Sequence, residues 1–488
     1  MFASVENALP RSLPEHQGIA SAAVLAFVEA VDGQVHEPHS FMLLRHGNVV
    51  AEGWWSPCGR EHPHLMFSVS KSFTATAVGL AVAEGRFSID DAVVSFFPNE
   101  RPTRVSDLQA AMCVRHLLSM ATGQAADTWT AMVERADGNW IKAFLDVPVV
   151  HAPGSHFVYN TGATYMLSAI VQQATGMKLI DYLEPRLFKP LGIENPAWQD
   201  SPQGITAGGI GLSLKTEDVA RFGQLYLQKG VWQGQRLLPE AWITEATAFQ
   251  MPNGEDADND WMQGYGYQLW RCRHGAYRAD GVFGQYCIVM PEQDAVLAIT
   301  SAIDLFDAQQ LLNLVWDILL PAMHVEPLAD DAAAQDRLTK KLSGLSLPPV
   351  QGQATSPIAL QVSGRTYTAD ANALQIETFT LHFNDAGCTV IAKTPAGEQT
   401  IPCGYGMWQT GQTTLFNQPL LFERPLNPVA SSGAWTAKDT FTMVIRLYQT
   451  PFFHTLVWHF IGSELLVEIT INVSLESMRP LLLTAHTV

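Results

Sequence analysis

The sequence has few basic residues and few cysteines for its length. Its 488 residues include 29 lysines and arginines against 47 aspartates and glutamates, a formal net charge of -18. This excess of negative charge opposes binding to nucleic-acid phosphates, so we expect no nucleic-acid partner. The cysteines form no pattern typical of a disulfide framework, which favours a reducing compartment. They stand at positions 58, 113, 272, 287, 388 and 403.

Long apolar runs are also missing. No run approaches the ~20 residues that a membrane-spanning helix needs, so we expect no membrane partner. The start, Met1–Glu6, is not a basic segment that leads into an apolar run. Ile19–Val28 is apolar but short, and it suits a packed helix or strand better than a signal peptide. The sequence therefore predicts a cytoplasmic protein.

Several common catalytic motifs are absent. The chain contains no G-x-S-x-G, no G-x-x-x-x-G-K-[ST] and no H-E-x-x-H. The nearest approach to a metal cluster is His62 and His64 with Cys58 and Glu61, whose spacing fits no standard zinc pattern. We interpret these residues as part of a loop or pocket wall, and we expect neither a metal nor a cofactor.

The tetrad Ser68-Val69-Ser70-Lys71 opens an apolar helical pattern. Residues three apart share a helix face, so the Lys71 amine can lie beside the Ser68 hydroxyl and help to make it a nucleophile. The alternative is a Ser68 that caps the helix and a Lys71 in solvent. A lysine in the first turn, however, opposes the helix dipole. No other lysine in the chain has a serine three residues before it.

The sequence around the tetrad resembles the penicillin-recognising serine hydrolases. This superfamily includes class C β-lactamases, DD-peptidases, D-aminopeptidases, amidases and family VIII carboxylesterases. The resemblance covers roughly Glu29 to Leu320 and implies an α+β domain. Its antiparallel sheet is expected to be flanked by helices, with a helical insertion from about residue 95 to 205. The segments that carry it are Ser40–Trp55, His64–Thr74, Glu84–Asp91 and Gly208–Phe222.

The second motif of this superfamily is Tyr-x-Asn, and its tyrosine assists proton transfer. Tyr159 matches that tyrosine, which makes Ser68, Lys71 and Tyr159 the predicted catalytic residues. The asparagine position holds Thr161, and Asn160 lies one residue early. A hydroxyl lacks the paired donor and acceptor of an amide. We retain Asn160 and Thr161 as candidate substrate contacts.

The third motif, Lys-Thr-Gly or His-x-Gly in relatives, aligns with Ala279-Asp280-Gly281 and lacks its cation. Arg278 is adjacent, but strand alternation points it to the other face unless a bulge redirects it. Gly281 lets the backbone approach the substrate, so the Val282 amide can join the Ser68 amide in an oxyanion hole. Arg278 and Asp280 are further candidate substrate contacts.

A domain boundary is predicted after the hydrolase-like region. Residues 326–345 are polar and helix-like, and a proline-rich linker follows. Beyond it, apolar residues alternate with polar ones, as in antiparallel strands with one buried face. We predict a hydrolase domain over 1–325, a helix and linker over 326–357, and a small antiparallel β-barrel over 358–488. The barrel would be similar to lipocalin-like appendages of some relatives.

The resemblance implies a serine hydrolase that forms an acyl-enzyme. A small acyl ester is the first choice of substrate, because the carboxylate-binding cation is absent. A β-lactam, a D-amino-acid peptide or another amide is the alternative. From another class, the chain could be a non-catalytic ligand-binding member of the fold. Aromatic stretches in the C-terminal domain could cover the active site or form a homo-oligomer contact.

Overall fold

The computed structural model describes residues 8–305, 307–416, 426–475 and 478–487. These residues belong to two compact units. The first comprises Met1–Gly53 and Pro63–Gly344, and the second comprises Trp54–His62 and Leu345–Val488. The short segment that precedes the Ser68 motif therefore belongs to the C-terminal unit, a placement that sequence analysis did not predict.

The first unit is built on an antiparallel sheet in the strand order β2-β1-β10-β9-β8-β7. Its middle strands β1 and β10 are buried along their whole length, as their apolar sequences require. The strands of this unit, including two short two-stranded pairs, are β1 (Pro38–Arg45), β2 (Asn48–Trp54), β3 (His64–Leu65), β4 (Ser213–Leu214), β5 (Val231–Trp232), β6 (Gln235–Arg236), β7 (Trp270–Arg271), β8 (Tyr277–Gly281), β9 (Gln285–Met290) and β10 (Ala295–Ser301).

Helices flank the sheet, and helices α3 to α9 fall within the predicted helical insertion. The antiparallel sheet with flanking helices confirms the predicted fold class. The helices are α1 (Ser21–Gln34), α2 (Val69–Ala83), α3 (Asp107–Ala110), α4 (Val114–Leu118), α5 (Trp129–Val133), α6 (Trp140–Asp146), α7 (Thr161–Thr175), α8 (Leu179–Leu183), α9 (Lys189–Leu191), α10 (Thr216–Leu227), α11 (Glu240–Thr247), α12 (Ala308–Leu314) and α13 (Ala332–Ser343).

Helix α2 carries the Ser68 motif and is buried on every side over Val69–Ala81. A helix that is buried on every side lies inside a domain. It packs against α7 and against β8, and its Phe73 ring stacks on Phe222 of α10 with ring centres 4.0 Å apart. This central position fixes the start of α2 between the end of β8 and the first turn of α7.

The second unit is an antiparallel barrel. Its strands run in the order β14-β13-β12-β11-β20-β19-β18-β17-β16, and within the described residues a parallel pairing of β14 with β16 closes the ring. Strand β15 pairs with β16. The elements are α14 (Ala359–Val362), β11 (Thr366–Ala369), β12 (Thr378–Asn384), β13 (Gly387–Thr394), β14 (Gly397–Gly404), β15 (Gln409–Thr413), β16 (Asn427–Ala437), β17 (Thr440–Arg446), β18 (Phe453–Ile461), β19 (Glu464–Ile471) and β20 (Leu481–Thr487).

The barrel strands follow the predicted alternation of buried and exposed residues. Strand β18, for example, alternates between half-buried and buried positions over most of its length. The interior is filled with aromatic and aliphatic side chains, among them Phe379, Trp435 and Trp458. This unit confirms the predicted C-terminal antiparallel β-barrel.

The region between the two folds contains a helix that is shorter than predicted. Helix α13 spans Ala332–Ser343 and begins where the Asp331 carboxylate accepts a hydrogen bond from the Ala334 amide. It lies in the first unit. Segment 54–62 joins the second unit through Ser56, whose amide donates to the Leu345 carbonyl at 3.1 Å. In the described part of the chain, no helix is long and apolar enough to cross a membrane.

Candidate active site

Ser68 lies directly before α2, and its side chain makes no capping bond with the helix. Its Oγ instead accepts a hydrogen bond from the Lys71 Nζ at 3.0 Å. Lys71 is only 1% exposed, which excludes the alternative of a lysine in solvent. The three-residue spacing therefore places the amine and the hydroxyl side by side, as the helix geometry requires.

The Lys71 amine has two further acceptors. Its Nζ donates to the Gly209 carbonyl at 2.9 Å and lies 3.4 Å from the Thr161 hydroxyl. Burial lowers the pKa of Lys71 to about 7, and the nearby carboxylates of Asp127 and Asp280 partly oppose that drop. A substantial fraction of the amine is consequently neutral near pH 7 and able to accept a proton.

Tyr159 lies close to both Ser68 and Lys71. Its hydroxyl shares a hydrogen bond with the Ser68 side chain. Its ring stacks on Trp270, with centres 5.3 Å apart and planes at 27°. The Lys71 Nζ lies 5.0 Å from the Tyr159 ring centre. Burial raises the pKa of Tyr159 well above its usual range, so the phenol stays protonated and can act as a donor.

Gly281 ends β8 against the segment that precedes Ser68. A Cβ atom at this position would lie 2.3 Å from the Met66 carbonyl oxygen, so only glycine fits without a backbone shift. The close approach brings Val282 and Ser68 to the wall of one pocket. This places the two predicted oxyanion residues around a common space.

Asn160 and Thr161 have different surroundings. Asn160 is fully buried at the start of α7, where its Oδ1 accepts from the Thr128 hydroxyl at 2.8 Å and its Nδ2 donates to Gln124 at 2.9 Å. Thr161 faces Lys71, and its amide donates to Asp127 at 2.9 Å. Asn160 therefore connects the loop before α5 to the start of α7 by hydrogen bonds. Thr161 instead contacts Lys71 directly.

Arg278 and Asp280 form an ion pair along one face of β8. The Arg278 Nε donates to the Asp280 Oδ2 at 2.8 Å, as expected for strand residues two apart. Arg278 is fully buried, and its guanidinium lies 4.5 Å from the centre of the Trp261 ring. Burial raises the pKa of Asp280, and the Arg278 charge opposes that rise.

These elements enclose a pocket of about 320 Å³. The predicted residues Ser68, Tyr159, Asp280, Gly281 and Val282 line it. The other lining residues were not predicted from the sequence, because a side chain that reaches a pocket through tertiary packing belongs to no local motif. The missed residues are Trp261, Trp270, Phe283, Tyr286, Leu305 and Ala308.

His62 and His64, and two further histidines of the first unit's strands and turns, His39 and His274, lie in ordinary structural settings. The His64 Nε2 is 3.0 Å from the Nδ1 of His39, and both rings are buried. His62 lies against the ring of Tyr448 in the second unit. His274 is exposed in the turn between β7 and β8. Across the described residues, no group of three or more His, Cys, Asp or Glu side chains could hold a metal ion.

The fold, with an antiparallel sheet and a buried helix behind the pocket, is that of the β-lactamase-like hydrolases. Residues 16–319 match the Beta-lactamase family, and the chain therefore belongs to it. The protein is thus an enzyme of a serine hydrolase family.

Curated relatives have several activities. The 6-aminohexanoate-dimer hydrolase of Paenarthrobacter ureafaciens is 25% identical over 277 residues, covering 53% of this chain and 71% of that protein. Penicillin-binding protein 4 of Amycolatopsis lactamdurans is 28% identical over 326 residues, covering 58% and 81%. Esterase EstB of Burkholderia gladioli is 29% identical over 177 residues, covering 32% and 45%. At such identities the relatives leave the substrate open.

A solved structure from Bacillus anthracis, named as a proposed 6-aminohexanoate-dimer hydrolase, has a similar fold. It aligns with a TM-score of 0.54 at 21% sequence identity, over 66% of this chain and 89% of that structure. This likeness supports the fold of the first unit.

Proposed function

We propose that this protein hydrolyses small carboxylic esters through an acyl-enzyme on Ser68. The observation that carries the proposal is the 3.0 Å contact between the Lys71 Nζ and the Ser68 Oγ, combined with a pKa of about 7 for Lys71. A buried, partly neutral amine beside a serine hydroxyl is a suitable base for activating it.

The reaction would proceed in two halves. In the first, the Ser68 Oγ attacks the carbonyl carbon while Lys71 takes its proton, and the Ser68 and Val282 amides stabilise the developing oxyanion. The ester C–O bond then breaks, and the leaving alcohol receives a proton through Tyr159. In the second half, water attacks the acyl-enzyme, releases the carboxylic acid and returns the proton to Ser68.

The charge of the pocket favours an ester over a β-lactam. β-Lactam antibiotics and DD-peptides carry a free carboxylate. Among the described residues that line the pocket, the one charged side chain is itself a carboxylate, Asp280. The pocket therefore lacks a cation with which to bind the carboxylate of such substrates. EstB, named as an esterase, is a relative that fits this preference.

Amide hydrolysis is the second candidate function. The relative from Paenarthrobacter ureafaciens is named as a hydrolase of 6-aminohexanoate dimer, and 71% of its length is covered. An amine leaves only after it is protonated, and the protonated Tyr159 hydroxyl beside Ser68 is placed to supply that proton.

A substrate panel with a Ser68→Ala variant tests the proposal. Wild-type protein is expected to hydrolyse short-chain p-nitrophenyl esters at least tenfold faster than the β-lactam nitrocefin. Ser68→Ala should lose both activities while its thermal unfolding stays nearly unchanged. Turnover retained in the folded variant would refute Ser68 as the nucleophile. Nitrocefin hydrolysis as fast as that of the best ester would refute the preference for esters. The absence of all turnover and of serine labelling would favour a binding protein.

A further inference from the structure

The pocket beside Ser68 contains a single charged group among its described lining residues, the carboxylate of Asp280. The remaining walls are largely aromatic, with Trp261, Trp270 and Tyr286 facing the same space. Ionised carboxylates accept hydrogen bonds and donate none. In a pocket whose other walls are largely aromatic and uncharged, such a group strongly affects which substrate substituents can be buried.

Several contacts hold Asp280 in place. The Arg278 Nε donates to its Oδ2 at 2.8 Å, and the Trp261 side chain also forms a hydrogen bond with it. Arg278 is anchored in turn, because its Nη1 donates to the Asp260 carbonyl at 2.9 Å. The Asp260 carboxylate is fully buried and receives the guanidinium of Arg273 at 2.9 Å. Asp280 is therefore a fixed group, and its side chain retains 11% exposure.

The ion pair does not turn the pocket into a carboxylate receptor. Arg278 is completely buried and is not among the described residues that line the pocket, whereas Asp280 is. A substrate carboxylate that entered would meet the carboxylate of Asp280 first. A substrate N–H or O–H group would instead find an acceptor that is already oriented.

We propose that Asp280 determines specificity by selecting substrates with a hydrogen-bond donor, an amine or a hydroxyl, on the group that enters this pocket. By the same contact it rejects substrates that carry a carboxylate there. The proposal rests on the proposed function and narrows it to donor-bearing esters or amides.

Four matched p-nitrophenyl esters test the proposal on the full-length enzyme. They are the 4-(aminomethyl)-, 4-(hydroxymethyl)-, 4-ethyl- and 4-(carboxymethyl)benzoates, which share one rigid ring. The aminomethyl ester is expected to have a kcat/KM about tenfold above the ethyl ester, and the carboxymethyl ester about tenfold below it. If kcat/KM rises above that of the ethyl ester for the aminomethyl ester alone, Asp280 selects an ammonium group. If it rises for the hydroxymethyl ester as well, Asp280 selects any hydrogen-bond donor. Either result supports the proposal. No gain for either donor would overturn it.

The variant Asp280→Asn distinguishes the effect of Asp280 on substrate preference from the effect of the protein's overall negative charge. The variant should reduce the ratio of kcat/KM for the aminomethyl and carboxymethyl esters by about a hundredfold. Asp294→Asn is the matched control, because Asp294 is exposed in the turn between β9 and β10, at the opposite end of β9 from the pocket. It should leave the ratio unchanged. An unchanged ratio in Asp280→Asn that still melts cooperatively would overturn the proposal. If that variant does not fold, the proposal is judged by the wild-type enzyme alone, from its ratio of kcat/KM for the aminomethyl and carboxymethyl esters.

A binding measurement distinguishes failure of this proposal from failure of the proposed function. Benzylamine and phenylacetate are titrated into wild-type protein and followed by tryptophan fluorescence, since Trp261 and Trp270 line the pocket. Tighter binding of benzylamine supports Asp280 as the selector even if no ester is hydrolysed. Equal binding or tighter binding of phenylacetate would overturn the proposal even if esters are hydrolysed.

Discussion

Among the single residues of the site, Lys71 is one whose chemistry changes on burial. An exposed lysine is protonated at neutral pH, whereas Lys71 is 1% exposed and its pKa falls to about 7. The fold therefore supplies a base from a residue that is ordinarily an acid. Tyr159 shows the opposite effect, because burial raises its pKa and keeps its proton in place.

The first prediction concerns pH. Deprotonation of Lys71 produces the proposed base, so kcat/KM for a neutral p-nitrophenyl ester should rise between pH 6 and pH 8 and level off above about pH 8. The measurement is a pH profile in buffers of constant ionic strength, corrected for spontaneous hydrolysis. A profile that is flat from pH 5.5 to 9 would contradict Lys71 as the base.

The second prediction concerns the chemistry of the cation. Lys71→Arg keeps the charge but provides a guanidinium that does not act as a base, so kcat should fall by roughly 10²–10⁴-fold. Lys340→Arg, an exposed position on α13, is the matched control and should retain activity. Near-normal turnover by Lys71→Arg would mean that Lys71 acts as an electrostatic aid only.

The third prediction concerns proton donation. Tyr159→Phe preserves the ring that stacks on Trp270 and removes only the hydroxyl that bonds with Ser68. With an alkyl ester, whose leaving alkoxide needs a proton, we expect kcat to fall by about 10²-fold or more while KM changes little, because a proton-transfer group acts in the transition state. A change confined to KM would instead assign Tyr159 to substrate binding.

At the scale of elements, the site exists because β8 ends against the start of α2. Gly281 permits the contact, since a Cβ would lie 2.3 Å from the Met66 carbonyl oxygen. That contact brings the segment around Val282 beside Ser68. A short, largely buried strand and a buried helix thus set the spacing of the proposed oxyanion amides.

The fourth prediction follows from this contact. Gly281→Ala should force β8 away from Met66, lower the melting temperature and reduce kcat by about 10²-fold or more, the loss typical when one oxyanion donor is displaced. Gly33→Ala, near the end of α1 with no atom within 4 Å of the added Cβ, is the matched control and should be neutral or slightly stabilising. A fully active Gly281→Ala enzyme would contradict the oxyanion assignment.

The elements also explain what the sequence could and could not predict. The tetrad at Ser68 and the alternation of β17 and β18 are local patterns, and local geometry alone fixes them. The pocket wall was not predictable, because Trp261 and Leu305 reach it from loops distant in sequence. Strand alternation predicts that Arg278 points to a different face of β8 from Ala279 unless a bulge intervenes. Its ion pair with Asp280 fits that alternation but was not predicted, and its anchoring by the Asp260 carbonyl depends on tertiary packing.

The whole chain divides into a hydrolase unit and a barrel unit. A short segment from the first part of the sequence belongs to the barrel unit, which the sequence did not indicate. Segment 54–62 leaves the first unit, pairs within the second and returns just before the Ser68 motif. Trp55 in this segment is 1% exposed. Deleting residues 345–488 would therefore remove the partners of a segment that lies close to Ser68 in sequence.

The fifth prediction is that the buried Lys71, which serves the proposed catalysis, lowers the free energy of unfolding. The pKa of Lys71 is about 7 in the folded chain, against about 10.4 in an unfolded one, so between these values the unfolded state binds more protons. Its contribution to the free energy of unfolding should consequently become more favourable by about 1.4 kcal/mol for each pH unit from 7 to 10. Below pH 7 the full penalty of the buried charge remains.

The variant Lys71→Met measures this contribution of Lys71, because methionine does not titrate. Its free energy of unfolding relative to wild type, measured by urea denaturation, should be highest near pH 6 and should decline steadily toward pH 9. The same variant should be inactive. A difference between the two proteins that is independent of pH would contradict the lowered pKa.

The proposed mechanism depends above all on Ser68 as the nucleophile, and mass spectrometry of the protein after reaction with a serine-directed probe identifies the residue that reacts. Wild-type enzyme is treated with a fluorophosphonate probe, digested and mapped by fragment ions that separate Ser68 from the buried neighbouring Ser70. We expect one phosphonyl adduct, on Ser68, that forms faster as pH rises through 7 and is absent in Ser68→Ala. An adduct on any other residue, or none in enzyme that hydrolyses esters, would contradict it.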